Sequence, residues 1–359
     1  MRRSLLLIVL VFLWRPASAG VRPSFSLNYS TWHATHIVLV SAAATDGTFE
    51  VIESWKGDLP VGERISIPDL RPSSNAVPIS QYPKPWPFTA PMSEQIPKQP
   101  IGSRLVLFLK KGTGDQLPTQ AMGQGKWKAS DLMGAMKASV VWIDNGKLYC
   151  FGQPVNPGPS VLLPLDYSVG DLRKRVADIN GVQQRIAEAL AVKNGSERAE
   201  RLKAYAHSDV FPARQFSLEE LGKCGPSAVP TIREMLDDPA FADEGTQLIK
   251  ALVQAGGRSV GEELHTRLQQ NLAFWKSVGP SLSRDWWNED ANPPSPLRQR
   301  YSQTLQLIVG LEQVHYSPAL HTVKNLRDFW RSLPQLNDER GLDQMAVECD
   351  RLIAQSQAK

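Results

Sequence analysis

The stretch LGKCGPSAVPTIREML, from Leu221 to Leu236, has a counterpart 31 residues later in LVQAGGRSVGEELHTRL, which begins at Leu252. Each copy carries a Gly at its fifth position (Gly225, Gly256) and a Val four residues on (Val229, Val260). An apolar segment ends at the Gly and another begins at once, the pattern of two short helices folded back on each other. A third copy shows in the second helix: HTRLQQNLAFWKS from His265 and HTVKNLRDFWRS from His321 share His-Thr, Asn-Leu and Phe-Trp, with a one-residue gap. One helical pair cannot bury its own apolar face, so repeats of this kind stack and cover one another. Residues 166–359 are therefore expected to form an α-helical repeat domain, interrupted by a Pro-rich insertion over 278–296. Phe274, Trp275, Phe329 and Trp330 are expected to be packing residues. The charged last helix, around Leu342 to Ile353, suits a terminal cap.

Leu218, Leu221, Gly222, Gly225, Ala228-Val229-Pro230, Ile232 and Leu236 resemble one HEAT repeat, with its apolar first helix, Gly-Pro corner and Val-Pro start to the second helix. The resemblance covers residues 200–275 and, more weakly, 297–335. It departs from the family pattern at the third corner, EQVHYSP, which has no Gly. What the family implies is an α-solenoid whose curved surface holds a protein or peptide.

Residues 20–165 have a different period. HIVLV (His36–Val40) and TFEVIESW (Thr48–Trp55) flank an Asp46-Gly47 turn. RISIP follows from Arg64. SRLVLFLKK (Ser103–Lys111) is apolar at consecutive positions, as in a strand buried on both faces. SVVWIDNGKLYCF (Ser139–Phe151) centres on Asn145-Gly146, a strong hairpin signal. These strands predict a small antiparallel β-barrel or sandwich, loosely OB-like, so the chain is expected to be α+β with the β domain first. A Pro-rich insertion, residues 71–100, breaks the β pattern; eight of its thirty residues are Pro, which cannot donate to a sheet ladder. From Val169 the apolar residues Leu172, Val176, Ile179, Val182, Ile186 and Leu190 follow a helical period. The domain boundary is accordingly placed between Pro164 and Gly170.

The N-terminus reads as a targeting segment. Arg2-Arg3, the apolar SLLLIVLVFLW and Ala17-Ser18-Ala19 match a secretory signal peptide over residues 1–19, and the apolar run falls short of the ~20 residues that span a bilayer. An uncleaved N-terminal anchor is the alternative. The mature chain is expected to be exported, periplasmic or extracellular, with no membrane span. The formal charge of +4 includes three arginines of that segment, so a mature chain near neutrality gives no footing for nucleic-acid binding. Cys150, Cys224 and Cys349 are too few for a disulfide scaffold and have no C-x-x-C spacing. One bridge with one thiol, or three thiols, both fit.

No motif in the chain carries catalysis, a metal or a cofactor. Gly257-Arg258-Ser259-Val260-Gly261 matches G-x-S-x-G, but that elbow needs a strand before the Ser. Here a helical pattern precedes it, so Ser259 reads as a corner between helices. His33 and His36 form H-x-x-H without the Glu of a zincin helix and lead into a strand, which favours surface or packing roles. Asp237-Asp238 reads as a solvated turn. Asn28-Tyr29-Ser30 and Asn194-Gly195-Ser196 are glycosylation sequons. The function expected from these residues is binding or scaffolding in the cell envelope, through a HEAT-like surface that holds a protein or peptide partner. Trp86, Phe88, Trp286 and Trp287 in the two Pro-rich insertions are the candidate contacts, since aromatics are enriched in interface hot spots. The alternatives are an envelope hydrolase with a site between the two domains, and glycan or oligomer binding by the β domain.

Overall fold

The computed structural model describes residues 21–23, 25–67, 70, 73–76, 78–79, 99–111, 127–129, 140–154, 161–282, 296–333 and 344–357. The chain divides into two compact units, Met1–Gln183 and Gln184–Lys359. The division falls within the helix Val169–Leu190.

The first unit is built on β1 (Val21–Pro23), α1 (Leu27–His33), β2 (His36–Ala42), β3 (Thr48–Lys56), β4 (Arg64–Ser66), β5 (Arg104–Lys111), β6 (Trp127–Ala129), β7 (Val140–Asp144), β8 (Lys147–Pro154) and β9 (Val161–Leu165). The strands make one antiparallel sheet in the order β1-β8-β7-β5-β2-β3-β4, with β6 also on β5 and β9 also on β8. Among the described residues this sheet is open. β4 and β1 are not joined, so the barrel expected from the strand count is not what these strands form.

The consecutive apolar run on β5 works as its sequence implied. Leu105, Leu107 and Leu109 join Val38, Val40, Phe49, Val51 and Trp142 on one face. Val106 and Phe108 join Ile37, Leu39, Val141, Leu148 and Cys150 on the other. That second face is covered by Phe25 and Ala34, which flank α1, and by Leu172 and Val176 of α2 (Val169–Leu190). Asn145 and Gly146 both take positive φ, 50° and 75°, as the tight two-residue hairpin between β7 and β8 requires.

The second unit holds α3 (Gly195–Lys203), α4 (Phe211–Lys223), α5 (Val229–Asp237), α6 (Gly245–Gly256), α7 (Gly261–Val278), α8 (Pro296–Gln313), α9 (Leu320–Arg331) and α10 (Gln344–Gln357). They pack in two rows. In one, α4 lies on α6, α6 on α8, and α8 on α10; in the other, α3 lies on α5 and α7 on α9. Leu221, Leu248, Leu252, Leu264, Leu268, Trp275, Ile308 and Trp330 are sealed between them. The close approach of α4 to α6 rests on Gly222, where a Cβ would stand 3.2 Å from the Ala251 Cα and closer still to the Gln254 side chain.

The sequence period reappears as hydrogen bonds. Lys203 to Glu234 (2.5 Å), Thr231 to Glu200 (2.6 Å) and Ser196 to the Ser227 carbonyl (3.3 Å) each span 31 residues. Arg214 to Glu244 (2.9 Å), Arg233 to Glu263 (2.6 Å) and Arg267 to Asp237 (2.9 Å) each span 30. The exposed pairs among them, such as Lys203–Glu234 and Arg233–Glu263, contribute ~0.2–1 kcal/mol each, whereas sealing one large apolar side chain contributes ~1.5–3 kcal/mol. The apolar rows hold the stack, and the bonds set its register.

The third corner solves its lack of Gly in another way. His315 takes the left-handed conformation (φ 54°), its N–H donates to Glu312 O (3.0 Å), and the Tyr316 N–H reaches back to Leu311 O (3.1 Å). This is the double bond of a Schellman cap, made without the usual Gly.

Candidate functional site

Two groups of chemistry-bearing side chains stand out, one in each unit. In the sheet unit, His36 opens β2 and is buried. Its Nε2 lies 2.7 Å from Asp58 Oδ1, and its Nδ1 lies 3.0 Å from Thr35 Oγ1. The neutral ring donates from Nε2 to Asp58 and accepts the Thr35 hydroxyl; the charged ring donates to both, and the hydroxyl turns to the Leu109 carbonyl at 3.2 Å. The ring keeps its partners in either state. Gly57 lies against this ring at φ 85°, and a Cβ there would come within 2.2 Å of the imidazole Cδ2.

Lys56 lies next in the chain. Its Nζ donates to Thr31 O and Gln183 Oε1, both at 2.7 Å, and Gln183 Nε2 donates to Trp32 O at 2.7 Å. Burial lowers the Lys56 ammonium to about 8. Burial, then the charges of Lys110 and Lys56, holds His33 below its ordinary value. His33 and His36 thus do not converge: His36 is a clamp between β2 and the turn after β3, and His33 stacks on Tyr29 with ring centroids 4.8 Å apart.

In the helical unit a polar pocket of about 90 Å³ opens where α7 faces α8. Arg267, Gln270 and Asn271 reach it from one stripe of α7, and Arg300, Gln303 and Leu307 from one stripe of α8. The spacings of three, four and seven residues are those that put side chains on one helix face. Phe241 and Ala242 close one side. Arg267 is already neutralised by Asp237 (2.9 Å) and Glu263 (3.2 Å). Gln303 Nε2 donates to Ala242 O at 3.2 Å, and Gln299 Nε2 donates to the carboxylate of Asp243, next in the chain to Ala242.

Arg300 and Asn271 are different. The Arg300 guanidinium lies over the Phe274 ring, 4.7 Å from its centroid, and has no hydrogen-bond or ion-pair partner among the described residues. Burial lowers its pKa, yet an arginine stays cationic at neutral pH. Asn271 is only 4% exposed, and its amide likewise has no hydrogen-bond partner among the described residues. A bond beneath the pocket fixes the seam: Trp275 Nε1 donates to Thr304 Oγ1 at 3.0 Å, and Thr304 Oγ1 donates to Arg300 O at 2.7 Å.

The other sequence candidates fall into place around these groups. Trp86, Phe88, Trp286 and Trp287 lie outside the described residues. Ser259 sits in the turn between α6 and α7, its hydroxyl donating to Gly256 O at 2.8 Å, with no strand before it. Trp275 and Trp330 are packing residues, crossing edge to face at 5.2 Å, whereas Phe274 is half-buried and carries Arg300. His265 bonds Thr322 Oγ1 across to α9 (2.8 Å), while His321 is exposed and bonds Asn325 on its own helix. Asp237 is an ion-pair partner, and Asp238 caps the following turn at Ala240 N. Asn194 caps α3 through Glu197 N (3.1 Å). All three cysteines are free thiols.

Among the described residues, no group of three or more His, Cys, Asp or Glu could hold a metal ion, and no helix is long and apolar enough to cross a membrane. No family model matches the chain, and no curated protein or solved structure shows significant similarity to it.

Proposed function

We propose that the protein is an exported binding or scaffold protein of the cell envelope, and that its helical unit is a short HEAT-like solenoid holding a protein or peptide partner. The observation that carries the reading is the α7–α8 seam. There a rigid, hydrogen-bonded stack presents an open pocket with donor groups that the fold itself leaves unused. Stacked repeats offer extended surfaces of this kind, and a preorganised surface loses little entropy on binding. Trp86, Phe88, Trp286 and Trp287 remain the proposed aromatic contacts. In-cell crosslinking and co-purification of the intact chain, beside a Trp286→Ala/Trp287→Ala variant, tests the reading. A reproducible partner that the variant loses is expected; no crosslinked partner under any condition sinks it.

A second reading has one observation in its favour. The sheet unit carries a cleft of about 430 Å³ beside the β7–β8 turn, lined by Ile79, Gln99, Ile101, Arg104 and Asp144 among others. A glycan or other oligomer bound there by an OB-like domain would show as binding to a glycan array that an Arg104→Ala variant loses.

A further inference from the structure

We infer that the α7–α8 pocket is a carboxylate-binding site, and that it receives the side chain of an Asp or Glu on the bound polypeptide. The inference rests on the reading of the helical unit as a peptide-binding surface and names the chemistry of its central contact. Three features carry it. First, Arg300 is the cation at the pocket without an ion-pair partner among the described residues, since Arg267 is matched by Asp237 and Glu263; the nearby Asp243 is held by the neutral amide of Gln299 and keeps its charge. Second, Asn271 is almost wholly buried at the pocket wall with an unpartnered amide. None of its amide atoms is sealed from solvent, so the amide faces water in the pocket and an arriving acceptor takes the place of that water. Third, the guanidinium is held ready. Phe274 supports its face, and α8 is fixed below it by the Trp275–Thr304 bond.

The chemistry selects the ligand. Arg300 offers only donors, in a planar fork that suits the two oxygens of a carboxylate. The amide N–H of Asn271 adds a neutral donor, and Gln270, exposed at the rim, can turn either way. About 90 Å³ admits a carboxylate and a methylene or two, not a whole metabolite. The rest of the ligand must lie outside, as it does when one residue of a peptide enters a pocket. A free small carboxylate shares the headgroup but gains nothing from the surrounding helices.

The test is a random-peptide selection on the intact chain, followed by affinity measurements on the enriched peptides. Enriched peptides are expected to share an Asp or Glu. Replacing it by Asn or Gln, or changing Arg300→Met in the protein, is expected to weaken binding at least about tenfold, the order for a charge-assisted pair. N-acetylglutamate methylamide at millimolar concentration should compete, and the glutamine analogue should not. Asn271→Leu gives a readout that a purely structural residue would not. It is expected to leave the thermal midpoint unchanged or raise it while weakening the acidic peptides. Peptides that bind equally well to the Arg300→Met protein would overturn the carboxylate site and leave the binding reading standing. No enrichment at all would overturn the binding reading, and this inference with it.

Discussion

Thr304→Val probes the seam at its best-defined bond. Thr304 and Trp275 are both fully sealed, and the indole N–H donates to the threonine hydroxyl at 3.0 Å. Valine keeps the volume and removes the acceptor. The indole N–H then loses this acceptor in a sealed site, which costs about 1–3 kcal/mol. For a unit of this size, each kcal/mol moves the thermal midpoint by roughly 2–4 °C. The far-UV circular dichroism transition of the helical unit reads that shift. Trp275→Phe removes the donor as well as part of the ring. In the double variant, Thr304→Val should therefore cost about 1 kcal/mol or more less than it does alone. Thr304→Ser, which keeps the hydroxyl, should behave close to wild type. A Thr304→Val chain as stable as wild type, or strict additivity in the cycle, would mean that this bond does not hold α7 to α8.

Three further outcomes follow from particular contacts. Gly57→Ala should destabilise the sheet unit by about 2 kcal/mol or more, because the left-handed φ is strained for alanine and the new Cβ drives into the His36 ring; denaturant unfolding reads it, and an unchanged midpoint would refute the packing. A thiol reagent at pH 8 should modify Cys224 slowly in the native chain. Cys150 and Cys349, both buried with thiols pushed up to about 12, should react only on unfolding. Fewer than three reactive thiols in denaturant without reductant would contradict the free cysteines. Lys56 should impose a pH dependence of known sign. Its folded value, about 8, lies below its unfolded value of roughly 10.4, so between those values the unfolded chain binds more protons. Wild type should gain stability relative to Lys56→Met as pH rises across that window, and parallel curves for the two proteins would refute the burial.

Much of the fold could be read from residues whose local physics leaves little choice. Asn145-Gly146 tolerates two positive φ values, and the turn forms there. The unbroken apolar run on β5 could only be sealed on both faces, as it is. The shared pattern around Gly225 and Gly256 reported helices that return on themselves. Other elements gave no such signal. α1 is a seven-residue helix with Thr31 and Trp32 inside it, too short for a period to show. β1 and β6 have three residues each, and their backbones are satisfied by β8 and β5 rather than by anything local. The openness of the sheet depends on which edges meet, which strand pattern alone does not encode. The seam pocket was hidden for a similar reason, because its walls come from Phe241, Asn271 and Arg300 on three separate elements. The signal it left was the polar stripe Arg267-Gln270-Asn271, set among the buried Leu264, Leu268 and Leu272 of the same helix.

A photo-crosslinking residue placed at Gln270, on the exposed rim of the α7–α8 pocket, and another at Val61, exposed on the sheet unit, test the account most directly. Both chains would be expressed in the native cells and irradiated there. A discrete adduct from position 270, absent from position 61 and lost in an Arg300→Met background, is the expected result. Adducts of equal yield from both positions, or none from 270, would contradict the claim that the stacked helices hold the partner at this seam.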